Sequence, residues 1–229
     1  SNVFPGILGR TCDRPCEPAC RRGRVEESNA QDPEPVAICR LKRVAADMKE
    51  DVRARMPQVA PGNGKRIACV GAGPASLTVA RDLAPLGYEV TVFDGEAKAG
   101  GFIRTQIPRF RLPESVIDEE CGYILDLGVQ FESGRRIESM QALLDEGWDA
   151  VFVGCGAPRG RDLDLPGRKE AAGNIHIGID WLASVSFGHV TKIGQRVIVL
   201  GGGNTAMDCC RSARRLGGTD VKVIVRSGF

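Results

Sequence analysis

Short, largely apolar runs alternate along this chain with longer amphipathic stretches. The apolar runs stand at 66–70, 89–93, 150–153, 196–200 and 221–225. Runs of this length, rich in Val and Ile, are typical of strands buried in a parallel sheet, and the stretches between them have helical spacing. The predicted helices run over 36–56, 77–84, 116–127 and 207–216. The pattern therefore predicts an α/β fold with parallel sheets.

Two of the predicted strands lead directly into glycine-rich loops, at 71–76 and at 201–206, and a predicted helix follows each loop. Such a turn lets the backbone approach a pyrophosphate, whose charge meets unpaired N–H groups at the helix N-terminus. Two turns of this kind predict two Rossmann-like units and two bound dinucleotides. A protein that holds two dinucleotides close together most often moves a hydride or electrons between them.

The two units differ in the residues that complete them. Asp94 ends the second strand of the first unit, where an acid is expected to accept hydrogen bonds from ribose hydroxyls. Ser76 takes the place of the third glycine of the loop and is small enough to keep helix and strand close. In the second unit Arg226 and Ser227 stand where an acid would be, and a cation favours the 2′-phosphate of NADP over NAD. The alternative is that Arg226 is a solvated strand end.

Thiols cluster before the first unit. They are Cys12, Cys16, Cys20 and Cys39. Pro15 and Pro18 exclude a regular helix around the first three, so we expect a loop. In a sequence with no recognisable signal peptide or membrane span, such clustering is typical of metal binding. The spacing leaves zinc and iron–sulfur open, and the two neighbouring redox cofactors favour iron–sulfur.

Several segments, taken in order and spacing, resemble the small subunit of glutamate synthase. The matching segments are 9–20, 35–43, 71–75, 100–101, 107–113 and 201–208. The resemblance covers essentially the whole chain and extends to flavin modules of dihydropyrimidine dehydrogenase and of NADH-dependent ferredoxin:NADP oxidoreductase. It implies an electron-transfer architecture with FAD at the first loop and a nicotinamide coenzyme at the second.

The resemblance also implies which residues contact each cofactor. The residues expected at FAD are Gly71, Gly73, Pro74, Ala75, Ser76, Asp94, Gly100, Gly101 and Arg104. Those expected at the coenzyme are Gly201, Gly203, Asn204, Thr205, Ala206 and Arg226. Gln106 stands where the family often has glycine, so the resemblance leaves the backbone conformation beside the flavin ring undetermined.

In this family the cysteines serve two neighbouring [4Fe-4S] clusters, and further cysteines lie upstream of the matching segment. Lys42 stands where relatives have a glutamine or glutamate ligand, and a charged lysine cannot ligate. We therefore expect the four clustered thiols to hold one cluster. The alternative is that they are divided between clusters whose other ligands lie outside this chain. The remaining thiols are expected to act as small apolar side chains. They are Cys69, Cys121, Cys155, Cys209 and Cys210.

Composition narrows the class of protein. The net charge of +2 and the pI near 8.1 give no strong field that would attract nucleic acid or an acidic membrane. Aromatic residues make up 5%, too few for a platform that stacks nucleic-acid bases. No apolar run approaches the length of about 18 residues that a membrane span needs. We expect a cytoplasmic protein that binds neither nucleic acid nor membrane.

The predicted organisation has three parts. They are a helical iron–sulfur region at 1–58, an FAD-binding domain with connector at 65–194, and the start of a NAD(P)-binding domain at 195–229. A doubly wound domain normally has several more strands than follow residue 195, so the last part is expected to be incomplete.

These observations predict a FAD-dependent NAD(P)H oxidoreductase subunit. It would pass electrons between NAD(P)H, FAD and a [4Fe-4S] cluster, to or from a larger catalytic subunit or a ferredoxin-like acceptor. A disulfide reductase is disfavoured, because the sequence has no Cys-x-x-Cys or Cys-x4-Cys pair. The alternative is a non-catalytic iron–sulfur and flavin scaffold. We assign no catalytic acid or base, and we interpret His176 and His189 as surface residues.

Overall fold

A computed structural model of the chain describes residues 2–24, 33–164 and 166–226. It contains two separate parallel sheets. The four-stranded sheet has the order β3-β2-β1-β4, and the two-stranded sheet pairs β5 with β6. The strands are β1 Arg66–Val70, β2 Glu89–Asp94, β3 Gln130–Ser133, β4 Ala150–Val153, β5 Arg196–Leu200 and β6 Asp220–Ile224. The predicted α/β class with two strand–loop–helix units is confirmed.

Eight α-helices connect and flank these strands in the described part of the chain. They are α1 Pro5–Thr11, α2 Ile38–Asp47, α3 Pro74–Leu83, α4 Phe102–Thr105, α5 Glu114–Leu125, α6 Met140–Leu144, α7 Gly178–Ser186 and α8 Asn204–Arg215. Short 3-10 turns lie at Arg21–Arg24, Arg53–Arg55, Ala84–Leu86 and Ala172–Asn174.

The long helix predicted over 36–56 is wrong, because α2 ends at Asp47. Beyond this point the Lys49 ammonium donates to the carbonyl of Ala46 and also to the Glu119 carboxylate, at 2.9 Å each. A cation that satisfies a carbonyl at the end of a helix stabilises its termination. Farther on, the Asp51 side chain accepts from the Arg53 N–H and so competes with helical hydrogen bonding.

The register of the first sheet brings three strand ends together. Val70 pairs with Phe93 on one side and with Val153 on the other. The carboxyl ends of β1, β2 and β4 therefore meet at one edge. The chain leaves β1 toward β2, while β4 lies on the opposite side of β1, so this edge is a topological switch point. Ligands of open α/β sheets bind at such points.

Three apolar clusters hold the fold together. The largest packs α3 and α5 on one face of the first sheet and includes Phe4 and Ile7 from the start of the chain. A smaller cluster covers the opposite face around Phe93 and Leu143. The third lies between α7, α8 and the second sheet around Trp181. The amino-terminal region is therefore packed onto the first unit.

The thiols outside the cysteine cluster are mostly core residues, as predicted. Burial raises the pKa of Cys69 to about 11 and those of Cys121 and Cys209 to about 12. These thiols stay neutral near pH 7 and pack as small apolar groups. Two of the thiols outside the cysteine cluster are not core residues. Cys155 is exposed in the loop after β4, where the sequence predicted an apolar setting, and Cys210 is half-buried on α8.

None of the helices in the described ranges has the length and apolar character needed to cross a membrane.

Candidate dinucleotide sites and cysteine loop

The first glycine loop turns sharply at the end of β1. The Gly71 N–H donates to the carbonyl of Phe93 at 2.7 Å, and Gly71 has a φ of +90°. A Cβ at this position would lie 2.8 Å from the carbonyl oxygen of Gly154. Both the backbone conformation and the contact therefore require glycine.

Gly73 and the start of α3 form an open cradle. Gly73 is the N-cap of α3, and the nearest described atom to a Cβ added there is the Gly154 oxygen at 3.9 Å. Pro74 follows as the first helical residue, and no described side chain caps the helix. The N–H groups of Ala75 and Ser76 thus belong to an uncapped first turn, which is a favourable place for a pyrophosphate.

Asp94 is held beside this loop. Its Oδ2 accepts from the Ala72 N–H at 2.6 Å, and its Oδ1 accepts from the Glu96 N–H at 2.9 Å. A carboxylate has about four acceptor positions. Two stay available for ribose hydroxyls, so the geometry fits the predicted role.

Ser76 is fully buried where α3 crosses the end of β4. A Cβ on Gly154 would come within 2.2 Å of the Ser76 hydroxyl oxygen. The helix α3 therefore lies as close to the end of β4 as a serine at position 76 allows. This close packing agrees with the role predicted for the third glycine position of the loop. The Ser76 hydroxyl has no hydrogen-bond partner within the described ranges.

A second glycine turn packs on the first loop. The Gly100 N–H donates to the Ala72 carbonyl at 2.8 Å, and a Cβ on Gly101 would lie 2.8 Å from the Gly73 Cα. The residues predicted to lie along the flavin are thus brought next to the pyrophosphate cradle.

Arg104 lies buried below this turn. Its guanidinium donates to the Ala99 carbonyl at 2.7 Å and pairs with Glu114 at 3.0 Å and Asp118 at 2.7 Å. These contacts use all three guanidinium nitrogens. The structure therefore gives Arg104 the geometry of a residue that supports the turn.

Gln106 has an ordinary backbone conformation, with φ −120° and ψ −20°, so the chain needs no glycine there. Its Oε1 is buried and has no hydrogen-bond partner among the described residues. Gln106 lines a cavity of about 230 Å³ between α4 and the start of α8. The Gln106 side chain therefore places an unpaired hydrogen-bond acceptor, its Oε1 atom, at this cavity.

The second glycine loop repeats the geometry of the first. The Gly201 N–H donates to the Ile224 carbonyl at 2.8 Å, as Gly71 does to Phe93. Gly203 is the N-cap of α8 with φ −80° and ψ 176°, nearly the values of Gly73, −80° and 178°. No described atom lies within 4 Å of a Cβ added to Gly203. The second loop therefore forms the same open cradle.

The remaining predicted coenzyme residues surround this cradle. Asn204 begins α8 and donates to the Asp13 carboxylate at 3.2 Å. Thr205 lines the same cavity as Gln106, and Ala206 is buried under the helix. Arg226 is exposed just beyond β6, at the edge that carries the loop. Its neighbour at position 227 lies outside the described residues.

Two residues that the sequence analysis did not single out join the units. The Arg111 guanidinium pairs with the Asp208 carboxylate of α8 at 2.5 Å. Both residues line the cavity of about 230 Å³. Both also lie in segments that carried the resemblance, 107–113 and 201–208, but no sequence pattern indicated that they meet.

The predicted cysteine loop is confirmed as irregular backbone. Cys12 is the C-cap of α1, Cys16 lies in a turn, Cys20 follows that turn, and Cys39 is in the first turn of α2. The Glu17 carboxylate accepts from the Cys39 N–H at 3.0 Å and ties the loop to α2.

The four thiols differ in their surroundings. Burial raises the pKa of Cys39, and the thiols of Cys12 and Cys16 lie close enough to act in the same direction. Backbone N–H groups of Val36 and Arg22 face the Cys20 sulfur and lower its pKa. Across the described ranges, no three His, Cys, Asp or Glu side chains are arranged as a metal-binding group. The sulfur donors suit iron–sulfur chemistry, and the thiols of Cys12 and Cys16 each lie near that of Cys39, but the described side chains do not form a preassembled metal site.

The sequence matches the family described as Pyridine nucleotide-disulphide oxidoreductase over residues 65–228. The chain belongs to this family, so the predicted class of FAD- and NAD(P)-dependent oxidoreductases is confirmed.

Among curated proteins, the beta subunit of NADP(+)-dependent formate dehydrogenase from Moorella thermoacetica is 35% identical over 249 residues, covering 98% of this chain and 34% of that protein. The beta subunit of NADPH-Fe(3+) oxidoreductase from Geobacter sulfurreducens is 37% identical and covers 97% and 33%. The glutamate synthase (NADPH) small chain from Azospirillum brasilense is 36% identical and covers 99% and 49%. The predicted resemblance is confirmed, and the chain spans about a third to a half of these relatives.

Among solved structures, FprA from Mycobacterium tuberculosis in complex with NADPH aligns with a TM-score of 0.59 and 22% identity. The alignment covers 74% of this chain and 44% of FprA. This likeness shows the fold.

Proposed function

We propose that this chain supplies the FAD loop and the coenzyme loop of an electron-transfer oxidoreductase subunit. The observation that carries the proposal is the duplicated cradle, in which Gly73 and Gly203 have the same conformation at the start of two helices. Duplicated pyrophosphate cradles in one chain fit two dinucleotides that exchange a hydride.

FAD is assigned to the first cradle. The support is the open side of Gly73, the fixed carboxylate of Asp94 and the Gly100–Gly101 turn that packs beside them. Gly71, Pro74, Ala75 and Ser76 shape the loop and the first helical turn. Arg104 acts by supporting the turn from below, through its bonds to Ala99, Glu114 and Asp118.

NADP is assigned to the second cradle, formed by Gly201, Gly203, Asn204, Thr205 and Ala206. Arg226 supports NADP over NAD, since it stands exposed at the sheet edge where it can meet a 2′-phosphate. The relatives named after NADP(+) or NADPH agree with this choice.

The protein's part in the reaction is positioning. FAD held by the first cradle would supply hydride acceptance from a reduced nicotinamide and release of electrons one at a time. Hydride transfer of this kind would need no protein acid or base, so the proposal assigns no catalytic residue. The described side chains shape the two cradles and line the space between them.

A [4Fe-4S] cluster at Cys12, Cys16, Cys20 and Cys39 is the finer part of the proposal. Its support is the soft sulfur donor set and the approach of the first two thiols to Cys39. Within this proposal, the alternative is that the four thiols are divided between two clusters.

We also propose a larger catalytic subunit or a ferredoxin-like protein as the partner, since the relatives are named as subunits or chains of enzymes. The competing function is a non-catalytic scaffold.

Anaerobic titration of the complete protein with NADPH tests the proposal. We expect the absorbance of bound flavin to be bleached by one equivalent of NADPH, and more weakly by NADH at equal concentration. A protein that purifies without flavin, or whose flavin NADPH does not reduce, would contradict the proposal and favour the scaffold.

A further inference from the structure

One face of α8 contacts both other parts of the protein. Asn204, Asp208, Arg211 and Arg215 follow one another at spacings of four, three and four residues, which places them on the same side of the helix. Asn204 contacts Asp13 in the cysteine loop. The other three contact the segment that follows the Gly100–Gly101 turn.

The contacts with that segment are specific. Asp208 pairs with Arg111 at 2.5 Å. The guanidinium carbons of Arg211 and Arg215 lie 4.9 Å and 3.9 Å from the centre of the Phe110 ring. Cations at this distance from an aromatic face are attracted by its electrons.

Each end of the ion pair is anchored in a different unit. Next to Arg111, Leu112 is fully buried in the core of the first unit, and its N–H donates to the Pro108 carbonyl at 3.1 Å. Next to Asp208, Cys209 is buried in the cluster that joins α8 to the second sheet. The ion pair therefore joins the packed core of the first unit to that of the second.

The pair is also shielded from solvent. The Asp208 side chain is 7% exposed and the Arg111 side chain 24%. A buried carboxylate without a neighbouring cation is unfavourable. The pair therefore favours the position of α8 in which Asp208 contacts Arg111 of the first unit.

We infer that Arg111 is a positioning residue for hydride transfer, which acts through Asp208 to hold the coenzyme cradle against the flavin turn. The inference rests on the proposed function. Asp208 lies one helical turn beyond Asn204 at the cradle, and Arg111 lies ten residues beyond Gly101 at the flavin turn. A shift of the ion pair would move the coenzyme cradle relative to the flavin turn.

Anaerobic stopped-flow measurement of flavin reduction by NADPH in the complete protein tests this inference. Arg111→Met and Asp208→Asn should each slow the reduction step at saturating NADPH by about tenfold or more, because small misplacements of reacting atoms are costly. The flavin content and the KM for NADPH should change much less. Arg135→Met is the matched control, because Arg135 forms an exposed ion pair with Glu146 within one unit.

The exchanged pair Arg111→Asp with Asp208→Arg should recover part of the rate, because it restores opposite charges across the same contact. If Arg111→Met does not fold, Asp208→Asn carries the test, since it barely alters volume. Rates equal to the unmodified protein in Asp208→Asn would overturn the inference. So would a large rise in KM confined to Arg111→Met, which would make Arg111 a direct coenzyme contact. Failure of the unmodified protein to react with NADPH would instead reject the proposed function.

Discussion

The carboxylate of Glu120 accepts a 2.6 Å hydrogen bond from the backbone N–H of Gly6. Its second oxygen accepts from the Ile7 N–H at 3.0 Å. Glu120 belongs to α5 of the flavin unit and the two donors belong to the first turn of α1, so one buried carboxylate attaches the cysteine region to that unit. A carboxylate at a helix N-terminus also interacts favourably with the helix dipole.

Glu120→Gln should weaken this attachment. The amide has a single acceptor oxygen, and its NH2 group would face a backbone donor, so one N–H loses its partner. We expect the free energy of unfolding to fall by about 1 to 3 kcal/mol. Denaturant unfolding measures the change, with Glu132→Gln on the exposed part of β3 as control. Equal stability of the two variants would mean that the contact does not hold α1.

The same carboxylate predicts a pH dependence. Burial raises the pKa of Glu120, although the N–H donors of Ile7 and Gly6 oppose the shift. A raised pKa in the folded state means that the stabilising contribution is fully present below the unfolded pKa of about 4.3 and declines as pH rises through the folded value. The stability difference between the unmodified protein and Glu120→Gln should therefore shrink with rising pH. A difference that grows over this range would show that the N–H donors outweigh burial.

Gly73→Val should remove FAD without unfolding the chain. The space beside Gly73 is open, so the side chain meets no described protein atom closely but occupies the place of the pyrophosphate. Flavin content of the purified complete protein is the measurement. Gly122→Val is the control, because that glycine on α5 also has open space around it and lies away from the loop. Normal flavin in Gly73→Val would refute the assignment of the loop.

Arg226→Ala should weaken NADPH binding far more than NADH binding. Loss of a charge-assisted hydrogen bond to a phosphate corresponds to about 1.5 to 3 kcal/mol. Dissociation constants for both coenzymes give the comparison, and Lys222→Ala on β6, the strand that leads to Arg226, provides an exposed cation as control. Equal effects on both coenzymes would argue that Arg226 is a solvated strand end.

Cys16→Ser should lower the iron and labile sulfide content of the complete protein, because a hydroxyl is a poor substitute for thiolate in a cluster. Reduction of FAD by NADPH should persist, while delivery of electrons to a one-electron acceptor should decline. Cys210→Ser serves as the control, since that thiol lies in α8 and contacts the Met207 carbonyl. Zinc in place of iron, or unchanged iron in Cys16→Ser, would exclude the proposed ligand set.

The sequence by itself determined five of the six described strands, the two glycine loops and the thiol-rich loop, because each depends on neighbouring residues. It did not predict β3 at Gln130–Ser133, because this largely exposed strand has no apolar run. Apolar runs predict buried strands, glycines with positive φ allow the turns, and prolines prevent a helix between Cys12 and Cys20. The strand bounds at 66–70, 150–153 and 196–200 agree with the structure for this reason.

Only the tertiary structure decided which distant residues meet. Gly6 and Glu120 are separated by 114 positions, and Arg111 and Asp208 by 97. Such pairs follow from how whole helices pack, and no local pattern encodes them. Packing also ended α2 at Asp47 and gave Arg104 its buried contacts beneath the glycine turn, since the charges that bind Lys49 and Arg104 come from α5. The sequence determined the two glycine loops that we propose as dinucleotide sites, and the long-range contacts determined how those loops face one another.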